Sequence, residues 1–142
     1  MVREHGRMLM TFVKQPFRTG TLVPSSRALA ELMLEDMELA FEIDEALARE
    51  LAPRLPRVRV VNDSAEHIGE QLRAHGHAAA DAILSGLPWA NFSLDLQQRL
   101  LRAVVAGLRP GGRFATVAYV PAAQLPAGRR FRSLLEASFS RV

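Results

Sequence analysis

Short apolar runs alternate with helical patterns from residue 41 to the end of this 142-residue chain, and that alternation limits the fold more than any other feature. Each run has the length of a buried strand, and each intervening segment repeats its apolar residues at the spacing of a helix face. Parallel strands joined by crossover helices produce this order. The sequence therefore predicts one α/β domain with a parallel sheet flanked by helices.

The individual elements follow from apolar runs, caps and helix breakers. Ser25 and Ser26 offer a cap for a helix that runs to about residue 40, and Ser93 offers one for a helix that Pro110 ends. Asp63 is typical of the start of another helix. Further helical patterns cover residues 46–51 and the basic segment that carries Phe131, Leu134 and Leu135. The predicted strands are 41–44, 58–61, 82–84, 114–120 and 138–142.

Residues 2–13 have the pattern of an amphipathic helix with a mainly basic polar side. Such a helix either packs on its own domain or lies on an anionic membrane surface. We therefore divide the single domain, residues 1–142, into an N-terminal helix and loop over 1–24 and an α/β core over 25–142.

Composition excludes several classes of chemistry. The chain has no cysteine, so disulfide, thiolate and cysteine-zinc sites are excluded.

No apolar run reaches the ~18 residues of a membrane span, and no secretory signal is present, which predicts an intracellular protein. His75 and His77 have no third ligand nearby, so we predict no metal site. The net charge of +3 fits either a solvated basic surface or a polyanion-binding one.

Polar side chains follow the predicted strands, where open parallel sheets bind their ligands. Glu42 and Asp44 come after Phe41 in the first strand-like segment, and Asn62 and Asp63 come after Val61 in the second. Residues 85–89 follow Leu84 in the third, and Tyr119 lies near the end of the fourth. A carboxylate can accept both hydroxyls of a ribose, and an Asp can accept from an adenine amine. Helix capping is the alternative role for Asp44 and in part for Asp63, whereas Glu42 has no such alternative.

Six segments together resemble the class I methyltransferases that use S-adenosylmethionine. The closest resemblance is to bacterial phospholipid N-methyltransferases and to ribosomal RNA adenine dimethylases. The most specific segments are Phe12-Val13-Lys14-Gln15-Pro16 and Ser85-Gly86-Leu87-Pro88-Trp89; the others are 19–27, 41–44, 60–63 and 108–114. The resemblance implies a Rossmann-like fold with S-adenosylmethionine as cofactor.

The resemblance also implies roles for individual residues. Glu42 would hold the ribose and Asp63 the adenine amine, and Ser64 would also be a cofactor-binding residue. The loop that carries Gly20, Ser25 and Ser26 would close over the cofactor. Ser85, Leu87, Pro88 and Trp89 would form the pocket for the methyl acceptor: the Leu87 and Pro88 carbonyls would accept from an amine, and the Trp89 ring would face a cation.

The sequence departs from this family at the cofactor loop. The family has a first strand that ends in a glycine-rich turn, whereas no glycine lies between Gly20 and Gly69. We therefore expect the first strand and its glycine-rich loop to be missing, and the sheet to be truncated at its C-terminal end.

The function implied is N-methylation of phospholipid head-group amines of the phosphatidylethanolamine type. The protein would then be cytoplasmic and peripheral on the inner membrane. One alternative is an RNA adenine N-methyltransferase, in which Arg129, Arg130 and Arg132 would contact phosphates. Another is a non-catalytic relative that binds membrane or RNA.

Overall fold

A five-stranded parallel sheet forms the centre of the protein in the computed structural model, which describes residues 8–11, 37–116 and 124–142. The order across the sheet is β3-β2-β1-β4-β5, and every neighbouring pair is parallel. The α/β class with a parallel sheet is thus confirmed. The strands are β1 (Met8–Thr11), β2 (Met37–Phe41), β3 (Arg59–Val61), β4 (Ala80–Ser85) and β5 (Leu108–Thr116).

Helices follow β2, β3 and β4, and two of the helices begin at caps that the sequence predicts. Asp44 Oδ1 accepts a hydrogen bond from Leu47 N at 3.0 Å, and Ser93 Oγ accepts one from Leu96 N at 3.3 Å. Each bond satisfies a backbone donor that the first helical turn leaves open. The helices are α1 (Glu45–Arg54), α2 (Ile68–Ala74), α3 (Leu94–Gly107) and α4 (Pro126–Ser138), with 3-10 turns at Ala65–His67 and Trp89–Asn91.

The predicted absence of a first strand is wrong. β1 lies between β2 and β4 and pairs with both, so residues 8–11 are a central strand and not part of the amphipathic helix predicted over 2–13. The run Met8-Leu9-Met10 is apolar throughout, as buried parallel strands are, and so fits a strand as well as a helix face. Pairing on both sides decides between them, because without β1 the inner edges of β2 and β4 would lack hydrogen-bond partners.

β2 begins earlier than predicted. The strand covers Met37–Phe41 instead of 41–44, so the helix predicted to reach residue 40 cannot extend past residue 36. Leu39 and Phe41 are buried in the cluster that packs the sheet against α2 and α3. β2 pairs with β1 on one side and with β3 on the other. The rest of that helix, residues 25–36, lies outside the described residues.

The last two predicted strands also differ. β5 begins at Leu108, and its register against β4 shifts where the chain passes Gly111, whose φ is +76°. The strand predicted over 138–142 is wrong, since Ser138 ends α4 and no regular element follows. Phe139 instead stacks on Phe114, with ring centroids 5.9 Å apart.

Two apolar clusters support the carboxyl edge of the sheet. In one, Phe41 and Ile83 on the sheet pack against Ile68 at the start of α2. In the other, Trp89 packs against Leu100 and other residues of α3 and α4. The ends of β2 and β4 are therefore held by packed side chains.

Candidate functional site

The five strands end level with one another. Thr11 lies opposite both Phe41 and Ser85, Phe41 lies opposite Val61, and Ser85 lies opposite Thr116. Residues that follow these positions emerge at one edge of the sheet. That edge brings together the segments after β2, β3 and β4 that the sequence singles out as site candidates.

Glu42 follows β2 directly and is only 3% exposed. Its backbone N–H donates to Val61 O at 3.0 Å, which extends the pairing of β2 with β3 by one bond. Its Oε1 accepts from Asp44 N at 2.8 Å. The carboxylate is therefore held at the strand end and does not extend freely into solvent.

Asn62 fixes the same turn from the neighbouring strand. Its Nδ2 donates to the carbonyl of Glu42 at 2.9 Å and to that of Ile43 at 3.1 Å. Sequence reasoning placed Asn62 at the site but gave it no role. Its side-chain amide joins the segment after β2 to the segment after β3, and this contact between strands has no signal in local sequence.

The carboxylate of Asp63 forms hydrogen bonds with three residues at the start of the helical segment that follows β3. Oδ1 accepts from Ser64 N at 2.7 Å and lies 2.8 Å from Nδ1 of His67, while Oδ2 accepts from Gln71 Nε2 at 2.9 Å. The hydrogen bond with His67 is the main reason that the pKa of Asp63 is lowered, and the same bond raises the pKa of His67. A carboxylate has about four acceptor positions, so roughly one is left for a ligand.

Ser64 also has a capping role. Its Oγ accepts from Glu66 N at 3.2 Å and so caps the 3-10 turn Ala65–His67. The partial capping role anticipated for Asp63 is thus shared between Asp63 and Ser64.

Ser85 organises the segment after β4. Its side chain is buried, and its Oγ accepts from Leu87 N at 3.2 Å and from Trp89 Nε1 at 3.1 Å. Trp89 is 3% exposed, and its ring stacks on Phe131 with centroids 4.3 Å apart. The indole is thus a core group that holds the loop, and contact between its ring and a cation stays a prediction.

The Leu87 and Pro88 carbonyls each accept one backbone hydrogen bond within this turn. Trp89 N donates to Leu87 O at 3.0 Å, and Asn91 N donates to Pro88 O at 2.9 Å. Because a carbonyl oxygen has two lone pairs, each can accept one more donor. Both residues are half-buried, so this segment can still receive an amine from solvent.

Gln97 is a buried residue that sequence reasoning did not single out. It is fully buried in α3, and its Nε2 donates to Trp89 O at 2.8 Å and to Ala127 O at 2.9 Å. Its Oε1 is buried and has no partner among the described residues. The available signal was its spacing of three and four residues from Leu100 and Leu101, which places an amide on the buried helix face.

Several predicted residues lie outside the described ranges, namely Gly20, Ser25, Ser26 and Tyr119. Within the ranges that are described, no three His, Asp or Glu side chains are grouped so that they could hold a metal ion. No helix in these same ranges is long and apolar enough to cross a membrane.

Comparison with known proteins gives a likeness in structure alone. No family model and no curated protein matches this sequence. Among solved structures, the chain is similar to a TehB-like SAM-dependent methyltransferase from Corynebacterium glutamicum, with a TM-score of 0.64 and 14% identity. The match covers 94% of this chain and 65% of that one, so this chain spans about two thirds of that protein. The likeness shows a Rossmann-like fold of the kind that methyltransferase has.

Proposed function

We propose that this protein binds S-adenosylmethionine at the carboxyl edge of its sheet and transfers the methyl group to an amine. The observation that carries the proposal is the position of Glu42, a buried carboxylate directly after β2 and beside the end of the central strand β1. In an open parallel sheet of this order, an acidic residue at that place is suited to the hydroxyls of a ribose.

The residues present fit the cofactor in part. Glu42 supplies acceptors for the ribose, and Asp63 has acceptor capacity for the adenine amine, with Ser64 beside it. Gly20, Ser25 and Ser26 are proposed to close over the cofactor. The segment between β1 and β2 contains a single glycine, Gly20, so its sequence is not that of a glycine-rich turn.

Methyl transfer to an amine does not need a strong base from the protein. A bound S-adenosylmethionine would supply an electrophilic methyl group with a thioether as its leaving group. What the protein must provide is alignment and exclusion of water. The free lone pairs on Leu87 O and Pro88 O can orient an amine N–H, and the bond from Trp89 to Ser85 keeps both carbonyls in place.

The acceptor proposed first is a phospholipid head-group amine of the phosphatidylethanolamine type. Support comes from the segment Ser85-Gly86-Leu87-Pro88-Trp89, where Gly86 stands at the position of the asparagine in the adenine dimethylases. Membrane contact cannot come from a helix over 2–13, because residues 8–11 form β1. Among the described elements, the basic face of α4 is the better candidate for an anionic inner-membrane surface.

An RNA adenine is the second candidate, and the same helix favours it. Arg129 and Arg130 are exposed and have no carboxylate partner among the described residues, whereas Arg132 pairs with Glu136 at 3.1 Å. Two such guanidinium groups suit phosphate contacts. A non-catalytic protein that binds membrane or RNA through this face is the remaining alternative.

Calorimetry with S-adenosylhomocysteine tests the cofactor site. We expect binding by the wild-type chain and roughly tenfold or weaker binding by Glu42→Gln, since a neutral amide accepts ribose hydroxyls less strongly than a carboxylate. Glu38→Gln is the matched control, because Glu38 is on the same strand at its opposite end and should leave affinity unchanged. Absence of binding by the wild-type chain supports the non-catalytic alternative.

Transfer of a labelled methyl group tests the acceptor. The labelled cofactor is offered with phosphatidylethanolamine vesicles in one arm and with ribosomal RNA in another. Label in the lipid supports the first proposal, and label in RNA alone supports the second. Intact cofactor binding with neither product overturns both acceptors.

A further inference from the structure

The amino edge of the sheet, opposite the proposed methyl-transfer site, contains a cleft of about 710 Å³. Its lining includes Glu38 at the start of β2, the turn and first residue of β3 at Arg57 and Arg59, and His75 and His77 after α2. Glu38 precedes Glu42 by four residues, so about 13 Å of strand separates the two edges. The cleft is therefore distinct from the site at the carboxyl edge, and its volume is in the range of small-molecule sites.

Arg57 and Arg59 are available to a ligand. Both side chains are exposed, and neither has an ion pair or side-chain hydrogen bond to another described residue. Arg54 and Arg99, by contrast, pair with carboxylates at 2.9 Å and 2.8 Å. Arg57 lies in the turn before β3 and Arg59 is the first residue of β3, and both residues line the same cleft.

The two histidines are placed by the turn that ends α2. Gly76 has a φ of +82°, and His77 N donates to Leu72 O at 2.9 Å, which reverses the chain so that His75 and His77 both line the cleft. His75 Nδ1 lies 2.7 Å from Gln71 O. The sequence suggested a histidine pair without a third ligand, and the fold instead brings the pair beside two arginines.

Among the described residues of the lining, one carboxylate is present, and it is not paired with either arginine. Glu38 Oε2 lies 2.9 Å from His77 Nε2, so this carboxylate is bonded to an imidazole and not to a guanidinium. Two guanidinium charges against one carboxylate leave the lining positive. Guanidinium groups are planar donor forks that match the oxygens of a phosphate.

We propose that this cleft is a second binding site, for a small molecule that carries a phosphate group, with Arg57 and Arg59 as its anion-binding residues. The proposal does not depend on methyl transfer. It predicts that phosphate binds the wild-type chain at residues on both sides of the cleft, 57–59 and 75–77, and at a defined stoichiometry.

The test is a titration of the full chain with inorganic phosphate, followed by amide NMR at constant ionic strength set with chloride. We expect saturable shifts at residues 57–59 and 75–77, and roughly tenfold or weaker affinity in the double variant Arg57→Gln/Arg59→Gln, which loses two charge-assisted contacts. The matched control is Arg102→Gln/Arg113→Gln, which removes the same charge from exposed arginines of α3 and β5 that do not line the cleft, and should leave the affinity unchanged.

Several results would overturn the proposal. These are shifts that do not saturate, shifts spread over arginines throughout the surface, an unchanged affinity in the cleft variant, or an equal loss in the control. Thermal unfolding of each variant establishes that it is folded; both substituted residues are exposed, so a lost affinity with an intact fold reports on the site. Repeating the titration with glycerol phosphate, with glycerol as control, tests whether an organic phosphate ester binds there.

Discussion

The hydroxyl of Ser85 accepts the indole N–H of Trp89 at 3.1 Å, across four residues of chain and inside the core. The same oxygen accepts from Leu87 N at 3.2 Å. One buried side chain at the end of β4 thus fixes both the loop that is proposed to receive the methyl acceptor and the aromatic ring that anchors this loop. This relationship explains why a serine is useful at a position that is almost fully buried.

Ser85→Ala should destabilise the protein by about 1–3 kcal/mol, because it leaves two donors without their acceptor in a buried site. Urea denaturation monitored by tryptophan fluorescence measures the change. Ser133→Ala is the control: its Oγ donates to Arg129 O on the exposed side of α4, and its loss should cost less than about 0.5 kcal/mol. Equal stability of Ser85→Ala and wild type would mean that Trp89 finds another acceptor.

Gln97→Leu should also lower the free energy of unfolding by about 1–3 kcal/mol, since the carbonyls of Trp89 and Ala127 each lose the hydrogen bond from this side chain. Gln98→Leu is a matched control, because Gln98 is the next residue on α3 and is exposed. Comparison of the two urea midpoints separates the lost hydrogen bonds from any change in helix propensity. Similar midpoints for both variants would contradict a structural role for the buried amide.

Asn62→Asp should weaken binding of S-adenosylhomocysteine by roughly tenfold, which corresponds to about 1.4 kcal/mol. The new carboxylate oxygen would face the carbonyls of Glu42 and Ile43, repel them and displace the turn that holds Glu42. Calorimetry measures the affinity, with Gln98→Glu as an amide-to-carboxylate control on an exposed helix position. An unchanged affinity would show that the turn held by Asn62 does not position Glu42 for the proposed contact with the ribose.

The pair Asp63 and His67 should give a pH-dependent contribution to stability. The hydrogen bond between Asp63 and His67 raises the pKa of His67 from the ordinary 6.5. The contribution of His67 to the free energy of unfolding is therefore fully present below pH 6.5 and is lost as the pH rises through the folded-state pKa. The pKa of Asp63 is lowered in the folded state. Its contribution to the free energy of unfolding is therefore present above pH 3.8 and is lost as the pH falls through the folded-state pKa.

NMR titration of the His67 ring measures this coupling. We expect its pKa above the ordinary value in the wild-type chain and nearer that value in Asp63→Asn, while Asp95→Asn on α3 leaves it unchanged. Denaturation should also show a larger stability difference between wild type and His67→Gln at about pH 5.5 than at about pH 8.5. A pKa of His67 that does not respond to Asp63→Asn would contradict the assigned cause.

Local sequence predicted much of the core and of the carboxyl edge. Local sequence predicted the caps at Asp44 and Ser93, the strand around Val60 and an acidic residue, Glu42, at a strand end, because each depends on residues a few positions apart. Alternation of strands and helices was enough for the α/β class. These features depend on hydrogen bonds between near neighbours and on the spacing of apolar residues, and both can be predicted from the local sequence.

Tertiary structure alone decided the centre of the sheet and the inner contacts of the site. Residues 8–11 fit a helix face or a strand, and only pairing with both β2 and β4 makes them the central strand. The bonds from Asn62 to the turn after β2 and from Gln97 to Trp89 O join residues from different elements. Their partners are set by how strands and helices pack, so the chain had to fold before an ambiguous apolar run became a strand and a buried amide found its carbonyls.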